Sequence, residues 1–320
     1  MVSRQQILKC VGVLVVAVFW SGAAATATAA NLYAKVSQTG TLISGSGVSS
    51  VSWLGPGRYE VTFNTNVTQC AYVATTANAY SQALQVYTAS GHLSPNGVYV
   101  ETKNQGGGLT AGPFNLFVNC GATKLKYAVV GYSSDLVRAT AGTILTELGP
   151  GRYAVTFLES VSTCAFVATV ADPSNGLVFA PSGVYTGSGS NSKTVYIETK
   201  NPGGGLQGGI PFHLSVVCSG APGTRIAVVN SSGLPSRGSS LTSSYKTSPG
   251  QYFVVTNANI AHCATVATRG SVNTAVPFAP ATVETVPGPA ANTTGIQVRN
   301  LLFFGGAVNN AAFHAATVCP

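Results

Sequence analysis

Leu54-Gly55-Pro56-Gly57-Arg58-Tyr59-Glu60-Val61-Thr62-Phe63 reads as a turn feeding a strand, and the fold is decided by it. Pro56 sets one backbone φ and the flanking glycines permit a positive one, which is turn chemistry. From Arg58 onward the pattern alternates. Tyr59, Val61 and Phe63 share one face and Arg58, Glu60 and Thr62 the other, the period of a half-buried strand. The stretch returns as Gly149-Pro150-Gly151-Arg152-Tyr153-Ala154-Val155-Thr156-Phe157 and, more loosely, as Gly250-Gln251-Tyr252. A cysteine follows each tyrosine after 11 residues, giving Tyr59/Cys70, Tyr153/Cys164 and Tyr252/Cys263. A second cysteine, Cys120, Cys218 or Cys319, closes each copy.

Further strands recur at matching places. The runs 70–75, 164–169 and 263–268 follow the first cysteines; 98–102, 195–199 and 295–299 come next; 114–120, 212–218 and 313–319 end the units. Apolar runs at 33–36, 127–130 and 226–229 open them. Short strands punctuated by Gly, Ser and Asn predict an all-β chain of three tandem antiparallel β-sandwich (or small barrel) modules with one disulfide each. The boundaries are 31–123, 124–222 and a divergent 223–320. Modules of this size can bury a core each. The short connections 121–126 and 219–225 predict that they abut as a stiff rod.

Residues 1–30 have the layout of a secretory signal peptide: Arg4 and Lys9, an apolar run from Cys10 to Trp20, and the small-residue cleavage site Ala27-Thr28-Ala29. That run falls short of the roughly 20 apolar residues of a membrane span, so the expectation is a secreted or cell-surface protein with no transmembrane anchor after processing. Cys10 leaves with the segment. Six cysteines then remain in an oxidising compartment, where they allow 15 pairings. If each unit folds alike, the parsimonious bridges are Cys70–Cys120, Cys164–Cys218 and Cys263–Cys319, closing loops of 50, 54 and 56 residues. Each is worth about 4 kcal/mol in the chain-entropy model. The cysteines lack the close spacing of zinc ligands, so neither a metal nor a cofactor is expected.

Only 8% of residues are charged, against about 25% in a typical domain. Loss of Arg4 and Lys9 takes the formal charge from +8 to +6. The basic residues are scattered, with only Lys124 and Lys126 close together, and nucleic acid requires a dense basic face. Nucleic acid is therefore excluded as a partner.

The candidate binding residues are Tyr99, Glu101, Lys103 and Asn104, repeated as Tyr196, Glu198, Lys200 and Asn201, each set followed by three glycines. Along a strand Tyr99, Glu101 and Lys103 point the same way, which predicts an outward aromatic, acid and base beside a flexible loop. The competing reading is a solvated Glu–Lys pair worth well under 1 kcal/mol, with Asn104 and Asn201 opening turns. The third copy reads Gln297-Val298-Arg299-Asn300, so a carboxylate is not needed there in every module. The glycine triplets precede strands, whereas phosphate-binding loops open helices.

Catalytic signatures are sparse. No Gly-x-Ser-x-Gly elbow occurs, the aspartates are Asp135 and Asp172, and the few acids do not define a two-carboxylate glycosidase cleft. Of the histidines His92, His213, His262 and His314, the second and fourth share one repeat position where the first module has Asn115. Alternation sets them opposite Phe212 and Phe313, predicting exposed polar sites. Leu301-Leu302-Phe303-Phe304 is expected to be a buried loop or a contact with the second module. Asn66, Asn230 and Asn292 begin Asn-x-Ser/Thr acceptor triplets.

The string from Leu54 to Phe63 through Cys70-Ala71-Tyr72-Val73-Ala74-Thr75, with Glu198-Thr199-Lys200-Asn201-Pro202-Gly203-Gly204-Gly205 and Pro211-Phe212-His213-Leu214 up to Cys218, resembles a module of exported bacterial proteins. The resemblance covers nearly all of the first two modules and, in the third, the cysteines, Tyr252 and Phe313. It implies export and β-modules and carries no activity. The expected function is noncatalytic binding or structure, the partner being a cell-envelope component or an extracellular polysaccharide or protein. The alternative is a secreted hydrolase, which requires acids or histidines converging at a module junction. A membrane barrel is disfavoured by the modular cysteine pairs.

Overall fold

The computed structural model describes residues 31–77, 83–174, 181–274, 281–287, 293–302 and 309–320. The expected export segment, Asn292, Phe303 and Phe304 lie outside them. The first module contributes β1 (Leu32–Val36), β2 (Leu42–Ser46), β3 (Val48–Gly55), β4 (Arg58–Phe63), β5 (Ala71–Thr76), β6 (Gln85–Ser90), β7 (Gly97–Lys103) and β8 (Phe114–Asn119). The second contributes β9 (Leu125–Val130), β10 (Leu136–Ala139), β11 (Ile144–Gly149), β12 (Arg152–Thr156), β13 (Cys164–Asp172), β14 (Gly183–Ser188), β15 (Thr194–Lys200) and β16 (Phe212–Cys218). In the third are β17 (Thr224–Val229), β18 (Pro235–Ser239), β19 (Leu241–Ser248), β20 (Gln251–Thr256), β21 (Ala264–Thr274), β22 (Ala281–Pro287), β23 (Gly295–Leu302) and β24 (Phe313–Val318). The described residues are all-β, with no helix.

Each module makes two four-stranded half-sheets, β2-β1-β8-β5 and β3-β4-β7-β6 in the first, which face one another as a sandwich. The half-sheets do not end at the module. They fuse between modules into three eight-stranded sheets, ordered β10-β9-β16-β13-β6-β7-β4-β3, β11-β12-β15-β14-β21-β24-β17-β18 and β19-β20-β23-β22-β5-β8-β1-β2. Within the modules the strands pair antiparallel. The three seams are parallel: Ala171 beside Thr88, Thr186 beside Gly270, and Glu284 beside Thr76. The second half-sheet of each module thus continues into the first half-sheet of the next, and the third module returns to the first. The chain is a closed ring of three sandwiches, not a rod. No sheet closes into a barrel.

Closure has a physical cause. A sandwich standing alone would leave β6, β14 and β22 as open edges, and an unpaired strand edge is a template for pairing. Each is completed by a neighbour's strand, and head-to-tail contacts between like units form a ring when the rotation closes. Closure also buries the first half-sheets on both faces. One face lies in the module's own core. The other meets its counterparts at the centre, where Tyr33, Val73, Phe117, Val167, Val228 and Val266 pack together from all three modules. Independent cores are therefore only part of the packing.

The repeated tyrosine is the pivot of each sandwich. Tyr59, Tyr153 and Tyr252 are fully buried, with ring centroids 5.2, 5.5 and 5.3 Å from Phe114, Phe212 and Phe313. The turn before Tyr59 needs its glycine: Gly57 has φ +71°, and a Cβ there would lie 2.5 Å from the Thr102 carbonyl oxygen and 2.7 Å from the Thr110 nitrogen. Gly57→Ala is expected to cost more than about 1 kcal/mol, read as a lower midpoint in thermal unfolding. A midpoint unchanged from wild type would contradict this account of the turn.

The disulfides are Cys70–Cys120, Cys164–Cys218 and Cys263–Cys319, one per module, as expected. Each ties the seam strand of the first half-sheet (β5, β13 or β21) to its neighbour within the module (β8, β16 or β24) at the same end; Cys164 and Cys218 are direct cross-strand partners.

Candidate functional site

Tyr99, Glu101 and Lys103 lie on one face of β7, with Val98, Val100 and Thr102 toward the core. That face is not solvated. The three residues are 4%, 3% and 1% exposed. Lys103 Nζ is 3.0 Å from Glu101 Oε2, the Tyr99 hydroxyl donates to Glu101 Oε1 at 2.9 Å, and Arg58 Nε stands 3.7 Å from the same oxygen. Lys103 also lies 5.1 Å from the Tyr87 ring centroid. The second module repeats the set: Lys200 to Glu198 at 3.1 Å, Tyr196 donating at 2.8 Å, Arg152 at 3.5 Å and the Tyr185 ring 5.6 Å from Lys200. The expected outward patch is corrected by the ring. This face of β7 is continuous, through β6 and β13, with the inner face of the next sandwich, and Tyr87 packs into that module's core.

Burial changes the energy scale. Breaking a buried pair from one side leaves an uncompensated charge and costs about 3–5 kcal/mol, whereas well-packed apolar replacement of both partners is often neutral. Glu101→Ala is expected to destabilise by that amount, and Glu101→Leu/Lys103→Leu to recover most of it. Leu301 occupies the position of Lys103 in the third module, so the apolar residue suits the fold. A double-mutant cycle in urea measures the coupling; additive losses would contradict the pairing.

Asn104 is exposed and Asn201 partly so. Their side-chain oxygens accept the Gly108 and Gly205 N–H groups at 3.0 Å, so the glycine triplets are Asn-closed turns. Gln105 donates to the Leu302 carbonyl at 3.3 Å, tying the first module's turn to the third. Leu301 is buried, as one of the two expectations for this stretch had it, and Leu302 is partly buried, with its carbonyl held by Gln105 of the first module.

In the third module the charges change places. Glu284 on β22 pairs in register with Arg299 on β23, where the other modules have Tyr87 with Glu101 and Tyr185 with Glu198. Glu284 is fully buried, and its 3.9 Å contact with Arg299 is too long to offset desolvation. Burial pushes its carboxyl up to about 8, against opposing contributions from Arg299 and the Leu84 N–H. A further acid, Glu60, is buried in the first module alone. It accepts the His92 and Leu93 N–H groups at 3.1 and 3.2 Å, and the His92 ring stacks on Tyr99 at 3.8 Å. Desolvation raises the Glu60 pKa despite those N–H bonds. Gly91 and Gly97 make room for it, since a Cβ would come within 2.6 and 1.9 Å of Oε1.

His213 and His314 are fully buried, which corrects the expectation of exposed positions. Their strands have no solvent face, because the side opposite the sandwich core is the module junction. His213 Nδ1 accepts the Tyr72 N–H at 2.9 Å and His314 Nδ1 accepts the Phe166 N–H at 3.0 Å, each from the preceding module. At the same position Asn115 donates to the Thr265 carbonyl at 3.0 Å, closing the ring. Accepting at Nδ1 leaves the proton on Nε2, which in His314 donates to Ser271 O at 2.9 Å. Both rings are therefore neutral. Desolvation lowers both pKa values, with help from Arg138 on His213 and Arg237 on His314; His314 falls to about 3.

Directly opposite these residues on the adjacent strand, three threonines complete the clasp: Thr169 faces His213, Thr268 faces His314 and Thr75 faces Asn115. Each hydroxyl accepts the N–H and donates to the C=O of one alanine in an adjacent module: Thr169 with Ala74 at 2.8 and 3.0 Å, Thr268 with Ala168 at 2.7 and 2.9 Å, and Thr75 with Ala267 at 2.8 and 3.0 Å. They line an axial cavity of about 70 Å³ with Gln85, Ser182 and Arg269. A larger cavity of about 400 Å³ beside Cys120 is walled by groups such as Leu32, Asn66, Val118 and Leu125, with no acid or histidine among its described residues.

Acids and histidines are both present at the junctions, but His213 and His314 face backbone groups and the arginines Arg138 and Arg237, with no carboxylate among their partners. Among the described residues no three metal-ligating side chains cluster, and no helix is long and apolar enough to cross a membrane. Sequence reasoning set Glu60 on the polar face of its strand, where it is instead fully buried, and missed Glu284 and the threonine clasp. The parts of the junction sets that reach solvent are Arg58 and Arg152, 43% and 45% exposed. No protein-family model matches the chain, and no curated protein or solved structure shows significant similarity to it.

Proposed function

We propose that the protein is an exported, noncatalytic contact protein: a disulfide-stapled ring whose rigid surface binds a cell-envelope component or an extracellular polysaccharide. The observation that supports this is the use of the reactive groups. Glu101, Glu198, Glu284, His213 and His314 are nearly or fully buried and join strands or modules, while turns and polar strands face out. Three like modules around an axis present similar groups several times, so weak contacts combine by avidity. The disulfides fit an oxidising exterior.

The test is a glycan array and an envelope-fraction pull-down with the mature protein, starting near Asn31, together with reducing-end assays on each bound polymer. Retention without new reducing ends is the expected result. New ends would replace this reading with the second one, a hydrolase at a junction. The specific observation for that alternative is Glu284, whose carboxyl holds its proton near neutrality as a general acid would.

A further inference from the structure

We propose that Arg58 and Arg152 are matched recognition points for an anionic polysaccharide bearing carboxylate or sulfate groups. The inference rests on the contact reading above and names the ligand class. Both guanidinium groups stand over the same buried set. In each, the carboxylate beneath is engaged by a buried lysine at 3.0 or 3.1 Å and a tyrosine hydroxyl at 2.9 or 2.8 Å, with the arginine at 3.7 or 3.5 Å. One carboxylate thus faces two cations, and each site keeps a net positive charge at its exposed end. Arg58 Nε is itself buried, so the exposure of that side chain lies at the far end of the fork, the end that meets carboxylate or sulfate two-pronged.

The distribution of charge across the molecule favours the same ligand. Five of the eight acids, Glu60, Glu101, Asp172, Glu198 and Glu284, are buried. Of the exposed ones, Glu159 is paired with Lys126 at 2.6 Å. The fold withdraws negative charge and leaves the surface positive. Two single arginines on different modules do not match the charge density of nucleic acid, about one phosphate per 1.7 Å of duplex. They match a polymer carrying one charge per sugar or per repeating unit, gripped at two places.

The experiment is titration of the intact mature protein with polygalacturonate, dextran sulfate, neutral dextran and duplex DNA at low and high salt. Binding to polygalacturonate or dextran sulfate that weakens with salt is expected, and comparing the two separates carboxylate from sulfate recognition. Arg58→Gln/Arg152→Gln is expected to weaken binding about tenfold or more. Glutamine stands at this position in the third module as Gln251, so the fold accommodates it. Lys193→Gln/Lys246→Gln removes as many charges from exposed lysines and is expected to change affinity less than about twofold. Should the arginine variant unfold, Arg58→Lys/Arg152→Lys keeps the charge and loses the fork, and weaker binding by about threefold is expected.

Equal losses in the arginine and lysine variants, preference for DNA, or no binding to either acidic polymer would overturn the proposal. Salt-insensitive binding to neutral dextran would overturn it while leaving the contact reading intact. Shortening of a bound polymer would instead remove the contact reading.

Discussion

Replacing Thr75, Thr169 and Thr268 together with valine is expected to leave the chain without a stable ring at 25 °C. Valine keeps the volume and β-branching that suit a strand, so packing is little changed. What goes is the hydroxyl, and with it the partner of two buried backbone groups at once. In Thr169→Val alone, the Ala74 N–H and C=O lose the bonds at 2.8 and 3.0 Å. Each buried group left unsatisfied costs about 1–3 kcal/mol, so a single valine is expected to cost about 2–6 kcal/mol. Three together reach or exceed the 5–15 kcal/mol that holds a typical domain folded. Thr→Ser, which retains the oxygen, is expected to recover most of the loss. Urea unfolding of the single, triple and serine variants is the measurement. A Thr169→Val protein within about 0.5 kcal/mol of wild type would show that water or a shifted strand replaces the hydroxyl.

The module is written locally and the ring is not. Turn chemistry at Pro56, alternation from Arg58 to Phe63 and cysteine spacing specify strands, sandwich and disulfide within one copy, and these agree with the structure except that the strands expected to end at 169, 268 and 299 run on to Asp172, Thr274 and Leu302. Ring closure depends on which edges meet, and a parallel seam such as Ala171 beside Thr88 has no turn to announce it. Errors follow from that gap. Alternation placed His213 and His314 outside because it assumed one wet face. A signal was nonetheless present: the stretch from Cys164 to Ala171 carries no charged residue on either face, the mark of a strand buried on both sides. Read that way, the polar residues on such strands become junction groups. Glu101 and Lys103 were recognised as a same-face pair, but their burial depends on the neighbouring module. Glu284 escaped because its register partner Arg299 was read without β22.

Acid is expected to open the ring through its histidines. Each imidazole must be neutral to accept its N–H bond, and in the unfolded chain each takes up a proton near pH 6.5. Below that pH the unfolded state binds more protons than the folded one, so stability falls as pH falls. For His314 the loss continues down to its folded value of about 3. At pH 4 His314 alone removes roughly 3 kcal/mol, and His213 acts in the same direction. Glu284 acts with the opposite sign. Its folded value of about 8 lies above the unfolded 4.5, so its contribution is full below pH 4.5 and is lost as pH rises to 8. Glu60, also raised, acts in the same direction as Glu284. The wild-type profile is therefore a compromise, and variants separate its limbs. Glu284→Gln is expected to raise the unfolding midpoint at pH 8 more than at pH 5. His213→Asn/His314→Asn, which installs the residue found at Asn115, is expected to flatten the loss between pH 6.5 and 4. Calorimetry across that range reads both effects. An acid limb equally steep in the asparagine variant would mean that the imidazoles are not what couples module contact to protons.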